Sequence, residues 1–308
     1  MFIEQTIVNT KDGMKELSEV TTNDYVLTAQ QTYEKVDEVK KRPSNGVYRI
    51  QTQGNPELYA DGETLFRVRS KLKNGKGGRE FSNEKWIKAK DLKKGDYVLM
   101  SKNRKVSTGY TKQQAWLYAK FFLNGKVTKN NTVIIYMDKM YALTLKKMSK
   151  TISHSIKELK NSIRVEVFDN NFYELCKSGV TNINPMFIQS GDTILLAFLN
   201  SLVENTERSK EGYYSVKSKY KAFIYQVGQI ISNINPIGGY LLYLSGTEKV
   251  SYTLKFNDEV KEGVHFVRMN NKLYQPIRAV TEISAHRGVL IGLSVSSYAA
   301  HNIITKGE

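Results

Sequence analysis

Residues 112–125 read Lys112-Gln113-Gln114-Ala115-Trp116-Leu117-Tyr118-Ala119-Lys120-Phe121-Phe122-Leu123-Asn124-Gly125, and residues 199–207 read Leu199-Asn200-Ser201-Leu202-Val203-Glu204-Asn205-Thr206-Glu207. In the first stretch Ala115, Leu117 or Tyr118, Phe121 and Phe122 recur close to helical spacing, which predicts a helix from Lys112 to Leu123. The second closes an apolar run beginning at Thr193, which predicts another helix to Leu202, with Asp192 as its N-cap. Leu117 and Leu199 stand 82 positions apart. A β-run (Thr132–Met137), two lysine-rich helices (141–150 and 152–159) and a strand (Arg164–Phe168) follow the first helix. A strand (Tyr213–Lys217), a helix (Lys219–Ile231) and a hairpin (Tyr240–Ser245 with Ser251–Phe256) follow the second. Residues 108–257 therefore contain the order apolar helix, β, basic helix twice: an internal pseudo-repeat of pattern rather than of identity.

The flanks have a different texture. Glu4–Thr10, Asp24–Thr28, Gly46–Gln51, Leu65–Ser70 and Tyr97–Ser101 are short β-rich runs. Turn signals such as Lys11-Asp12-Gly13 and Gly75-Lys76-Gly77-Gly78 separate them. After the repeat, Val264–Met269, Gln275–Ile283 and Val289–Val295 return to β. The fold class is mixed α/β: an all-β domain split in sequence by an α+β, two-fold pseudo-symmetric domain. The boundaries are 1–105, 106–262 and 263–308, and a prior of roughly 150 residues per domain agrees with two domains.

Composition bounds the partners. With 46 Lys+Arg against 30 Asp+Glu the chain carries +16, which points to an anionic partner, nucleic acid before a membrane surface. The bland alternative is lysines on a solvated face. Hydrophobic residues at 40% exclude a disordered chain, and a single cysteine excludes a disulfide framework or a cysteine zinc site. The four histidines, at 154, 265, 286 and 301, have no metal-ligand spacing, so no metal site is expected. No signal peptide opens the chain and no apolar stretch spans a bilayer, so a cytoplasmic protein is expected. Cys176 reads as a buried structural thiol.

The layout resembles a large intein: a Hint splicing domain, split in sequence, with a LAGLIDADG homing-endonuclease domain inserted. Thr6 to Gly13 with Leu17 and Asp24-Tyr25-Val26-Leu27 resemble the first Hint block. Trp86 to Val98, containing Leu92-Lys93-Lys94-Gly95-Asp96-Tyr97-Val98, resembles the close of the N-terminal Hint half. Pro276-Ile277, Val280, Leu293-Ser294-Val295 and His301-Asn302 resemble its late strands. The stretches at 117–125 and 199–207 sit where the two LAGLIDADG helices belong, and Asn184-Pro185 and Ser215–Ile231 also fit. The alternative is two ordinary core helices.

The resemblance implies chemistry that these residues do not supply. Splicing starts from a nucleophile at the first position, where this chain has Met1, a thioether with no proton to lose. The Thr-x-x-His of active Hint domains matches Ala60-Asp61-Gly62-Glu63, so Ala60 and Glu63 replace the Thr and the His. The chain ends Lys306-Gly307-Glu308 rather than in Asn before a nucleophile, and His301-Asn302 is followed by Ile303. His301 reads as the late-strand Hint histidine or as a histidine in a turn. In the nuclease the last acidic residue of each motif holds Mg²⁺. Here those positions are Asn124 and Thr206. Glu204 and Glu207 lie about 200° and about 100° from Thr206 on a 3.6-residue helix, so only Glu207 could substitute, and only if the helix end unwinds. No cofactor is expected, with Mg²⁺ required only for residual nuclease activity. Ala119 and Ser201 replace the usual close-packing glycines but are small enough to keep the interface.

What the resemblance still implies is DNA recognition by two sheets in the major groove. Lys126, Lys129, Asn130, Asn131, Lys217, Lys219 and Lys221 are the candidates for phosphate and base contacts. Three functions are carried forward. The first is a catalytically degenerate protein that keeps double-stranded DNA binding. The second is a domesticated structural or interaction protein, for example of a phage assembly, with protein partners and a place in the virion. The third is an active endonuclease or splicing element. Ends at Met1 and Glu308 read as those of a free-standing protein, mildly favouring the second.

Overall fold

A computed structural model describes residues 1–53, 55–72, 80–102, 105–148, 151–210, 212–234, 240–243, 252–256 and 266–308. The turn at Gly75–Gly78, the start of the run at Val264, and His265 lie outside them. The described chain is sheet-rich with six α-helices. None of these helices is long and apolar enough to cross a membrane.

The two flanks build one antiparallel sheet system of sixteen strands. They interleave rather than stack. Phe2–Ile3 pairs with Val289–Leu293, Ile7–Thr10 with Ser297–Ala300, and Leu65–Ser70 with Ile303–Lys306. The long strand Lys272–Ile283 pairs first with Asp96–Leu99. A register shift between Ile277 and Ala279 then re-aims it onto Val47–Thr52. Phe2, Phe66, Val98, Ile291 and Tyr298 from both flanks share one apolar core. The edge strand Val39–Pro43 is Val-Lys-Lys-Arg-Pro with its last four residues exposed, a charged edge that resists pairing with another chain.

The intervening segment has its own core, drawn from residues 115–256. Helix α1 (Lys112–Asn124) starts in a capping box, with Thr111 accepting from the Gln114 amide and Gln114 reaching back. A 3₁₀ turn (Lys139–Tyr141) leads into α2 (Ala142–Met148); α3 is Asn170–Cys176, α4 Pro185–Ile188, α5 Asp192–Val203 and α6 Lys221–Asn233. One four-stranded sheet runs in the order Gly125–Val127, Val133–Met137, Ile163–Val167, His154–Glu158. A three-stranded sheet runs Tyr214–Ser218, Tyr252–Phe256, Tyr240–Tyr243. In both, the last strand of the repeat slots between two earlier ones. The two halves thus share helix, strand, helix, strand, strand, and the first half has an extra strand. Cys176 is buried, and burial pushes its thiol pKa well up, which makes it unreactive.

Three details depart from the sequence reading. Residues 154–158 form a strand, not a helix. Pairing with Ile163–Val167 turns Ile156 to the core side and Ser155 and Lys157 outward, a period of two that a short charged run conceals. The helix expected over 141–150 begins one residue later, at Ala142 after a 3₁₀ turn that ends at Tyr141, and is described to Met148; residues 149 and 150 lie outside the described residues. Asp192 is the first residue of α5 rather than its cap. Gly191 holds the cap position, and the Asp192 carboxylate pairs with Lys105 while sitting favourably at the helix N-terminus.

The two units meet through specific contacts. Lys221 donates to the Gln5 carbonyl at 2.6 Å and to Glu16 Oε1 at 2.8 Å. Ile7, Met14 and Tyr225 form a small apolar cluster across the junction. Gly13, at φ +125°, lies under Asn182, whose Oδ1 would be 3.2 Å from an added Cβ.

Candidate nucleic-acid interface

Strand alternation decides which side chains leave the core. In the four-stranded sheet Val133, Ile135, Met137, Ile163, Val165 and Val167 enter it. Lys126, Tyr136, Ser155, Lys157, Arg164 and Glu166 take the opposite face. Lys126 Nζ lies over the Tyr136 ring at 5.9 Å, and Arg164 pairs with Glu166 at 2.6 Å. Lys157 is directly opposite Arg164 across the strands. In the three-stranded sheet Val216, Leu254 and Phe256 point inward, and Ser215, Lys217, Thr253 and Lys255 outward. Among the described residues the outer positions thus hold Lys126, Lys157, Arg164, Lys217 and Lys255 against one carboxylate, Glu166.

Lys126, Lys129, Asn130, Asn131, Lys217 and Lys219 are exposed on these strands or the turns beside them. Asn131 has φ 55°, a left-handed conformation that asparagine tolerates in the turn before Val133. Lys219 lies over the Tyr220 ring at 5.0 Å. Lys221 is a correction: its ammonium turns away from the sheets and ties α6 to Glu16 and the Gln5 carbonyl, because the first turn of α6 packs on the flanking unit. Lys157, Arg164 and Lys255 stand on the same outer faces without a sequence signal of their own, and a strand reading of 154–158 would have placed the first there.

The C-terminal ends of α1 and α5 meet at a cavity of about 280 Å³ lined by Lys120, Asn124, Tyr136, Asp138, Tyr141 and Asn205 among others. Asn124 reaches it; Asn205, not Thr206, is the lining residue from the second stretch. Thr206 instead turns its amide back onto the Val203 carbonyl at 2.9 Å. Lys120, 4% exposed, occupies the helix interface. Its ammonium donates to Glu204 Oε2 at 2.7 Å, to the Ser201 carbonyl at 3.2 Å and to the Tyr141 hydroxyl at 3.3 Å. It also lies 4.5 Å from the Tyr141 ring centroid and 5.4 Å from that of Trp116. Trp116 Nε1 donates to the same Glu204 oxygen at 3.2 Å. The sequence signal for this cage was a lone charge in an otherwise apolar helix face. A Mg²⁺ ion needs oxygen ligands with carboxylate charge. Here the position holds an ammonium and two neutral amides, with Asp138 the one carboxylate of the cavity lining, so the residues do not fit the ion. Among the described residues no three His, Cys, Asp or Glu side chains converge as metal ligands.

The positions expected for splicing chemistry divide. Met1 and Ala60 come together: the Asp61 amide donates to the Met1 carbonyl at 2.9 Å. The Met1 amine donates to Thr64 Oγ1 and to Glu308 Oε1, each at 2.7 Å. Burial lowers the pKa of that amine. Glu63 points to solvent, where Lys88 and Lys90 pull its carboxyl down to about 2. His301 stands apart. It and Asn302, at φ 46° and 62°, form the two-residue turn between Ser297–Ala300 and Ile303–Lys306. Its Nε2 lies 3.4 Å from the Tyr225 hydroxyl, and burial with the nearby Lys221 charge lowers its pKa to about 3.

No family model matches the sequence, and no curated protein matches it. Solved structures to which it is similar are LAGLIDADG homing endonucleases and a related domain. A structure of I-DmoI in complex with DNA and Mn is 13% identical, covering 47% of this chain and 89% of that chain at a TM-score of 0.36. The N-terminal LAGLIDADG domain of DUF199/WhiA is 9% identical, covering 48% and 77% at 0.32. The similarity spans about half the chain. Both scores are low, and nothing about this chain's function follows from them.

Proposed function

We propose that the chain binds double-stranded DNA through the outer faces of its two small sheets and does not cleave it. The observation that carries this reading is the charge of those faces: among the described residues, five cations and one carboxylate on surfaces that strand alternation holds clear of the core. Lysines and arginines there neutralise phosphates, while Tyr136, Ser155 and Ser215 are of a size and polarity to meet base edges. Cleavage fails at the helix ends, because Lys120 and the amides of Asn124 and Asn205 stand where carboxylates and a metal would be needed. The flanking unit fits a Hint-like domain split by the insert, since its halves interleave and residues 1 and 308 meet beside Ala60–Thr64. Ala60 and Glu63 leave it without the threonine and the histidine of active splicing domains.

The test is binding to a mixed duplex library titrated in salt, with Mg²⁺ present and the DNA checked for nicks. The expected result is an association constant falling steeply with salt and no nicking. Replacing Lys126, Arg164, Lys217 and Lys255 together by Glu should weaken binding at least tenfold. Unchanged binding in that variant, or Mg²⁺-dependent nicks in the wild type, would overturn the reading.

A further inference from the structure

A second surface lies on the helical side of the intervening unit. Helices α1, α2 and α5 enclose a groove of about 630 Å³ whose lining includes Lys112, Trp116, Thr144, Lys147, Met148 and Ala197. None of its lining residues belongs to the outer face of either sheet. Its floor is apolar. Its one carboxylate, Glu204, is already paired with Lys120 and accepts a hydrogen bond from Trp116 Nε1. Lys112 and Lys147 stand in the lining and pair with no carboxylate among the described residues. Beside it, Met140 and Leu143 are 71% and 70% exposed. With Thr144 and Lys147 they follow the i, i+3, i+4, i+7 spacing of a single helical stripe. The adjacent row of that segment buries Tyr141 and Leu145 in the core, and Met148 bridges that core and the groove.

We propose that this groove docks an acidic amphipathic helix of a partner protein. Apolar side chains of the partner fill the floor beside Trp116 and cover Met140 and Leu143, and its carboxylates meet Lys112 and Lys147. Charge complementarity selects the occupant. A second copy of the chain would bring another +16 toward the same lysines. A stacked base is disfavoured because Lys120 lies over the Trp116 ring and Tyr141 meets it edge-on at 5.5 Å. The inference does not depend on DNA binding.

The probe is an 18-residue synthetic helical peptide with Leu and Phe on one face and Glu on the other, labelled and followed by anisotropy. A matched peptide with Lys in place of Glu is the control. The full-length protein should bind the acidic peptide saturably and the basic peptide at least tenfold more weakly. Leu143→Asp and Lys147→Glu, both at exposed or lining positions, should each weaken acidic-peptide binding at least tenfold while circular dichroism stays unchanged. In a Trp86→Phe background the remaining Trp116 emission should shift on binding. Lys126→Glu with Lys217→Glu should leave peptide binding intact even where DNA binding is lost. Absence of binding, equal binding of both peptides, or indifference to Leu143→Asp and Lys147→Glu would overturn the proposal. Displacement of the peptide by duplex DNA or by phosphatidylserine vesicles would also overturn it, assigning the groove to nucleic acid or lipid instead.

Discussion

Lys120 shows how one side chain redirects a site. Its ammonium is buried, yet its three protons find Glu204, the Ser201 carbonyl and Tyr141, so desolvation is offset by charge-assisted hydrogen bonds and two aromatic faces. Lys120→Met should lower stability by about 2 kcal/mol, the scale of hydrogen bonds to a charged group, read as a lower urea midpoint. The cost stays below that of a fully buried pair because the Glu204 side chain is 40% exposed. A Lys120→Met, Glu204→Leu double variant should lose less than the two single losses summed. His301 makes a pH prediction. Its folded pKa, about 3, lies below the ordinary histidine value, so the unfolded chain binds the proton more tightly. Stability from the neutral ring is therefore present above about pH 6.5 and lost as pH falls toward 3, at up to about 1.4 kcal/mol per pH unit. Urea midpoints from pH 7 to 5 should fall more steeply for the wild type than for His301→Gln; parallel slopes would count against it.

At the scale of elements, the crossing of α1 and α5 depends on small residues. Ala119 is fully buried and Ser201 is 2% exposed, and the Ser201 hydroxyl donates to the Trp116 carbonyl at 2.9 Å. Close approach there is what places Lys120 against Glu204. Ala119→Leu should cost about 3 kcal/mol through overpacking, measured by thermal or urea unfolding. It should also expose Trp116 to quenchers as the helices part. The helix pair was legible in the sequence, since a dozen residues with apolar spacing leave little choice of element. The strand at 154–158 was not. Five residues of mixed charge carry too little periodicity, and only the neighbour Ile163–Val167 supplies the hydrogen bonds that hold it extended.

For the whole molecule, charge and the junction between units set expectations. Residues 106–262 hold 20 Lys+Arg and 13 Asp+Glu, a net +7, leaving +9 on the flanks. Basicity alone therefore does not locate an interface, and the proposal rests on the outer faces of the sheets instead. Lys221 separates the two ideas. It belongs to the junction, so Lys221→Met should leave DNA affinity and its salt slope unchanged while lowering stability by about 1 kcal/mol, the scale of a partly exposed ion pair. A salt slope that falls in that variant as it does for Lys126→Glu would return Lys221 to the DNA surface.

The sequence by itself determined the elements whose signal is local. The apolar period of α1 and α5, the return to β after residue 266 and the absence of paired carboxylates at Asn124 and Thr206 are properties of adjacent residues. Tertiary structure decided everything that depends on distance across the chain. Lys120 became a caged ammonium because Ser201 and Glu204 arrive from a helix some 80 positions away. Lys221 became a junction residue because Glu16 arrives from a strand 205 positions away, and residue 1 came to lie against residue 308 because antiparallel pairing folds one flank into the other. A side chain's spacing fixes which way it faces on its own element, but its function depends on what packs opposite, and that partner lies elsewhere in the chain.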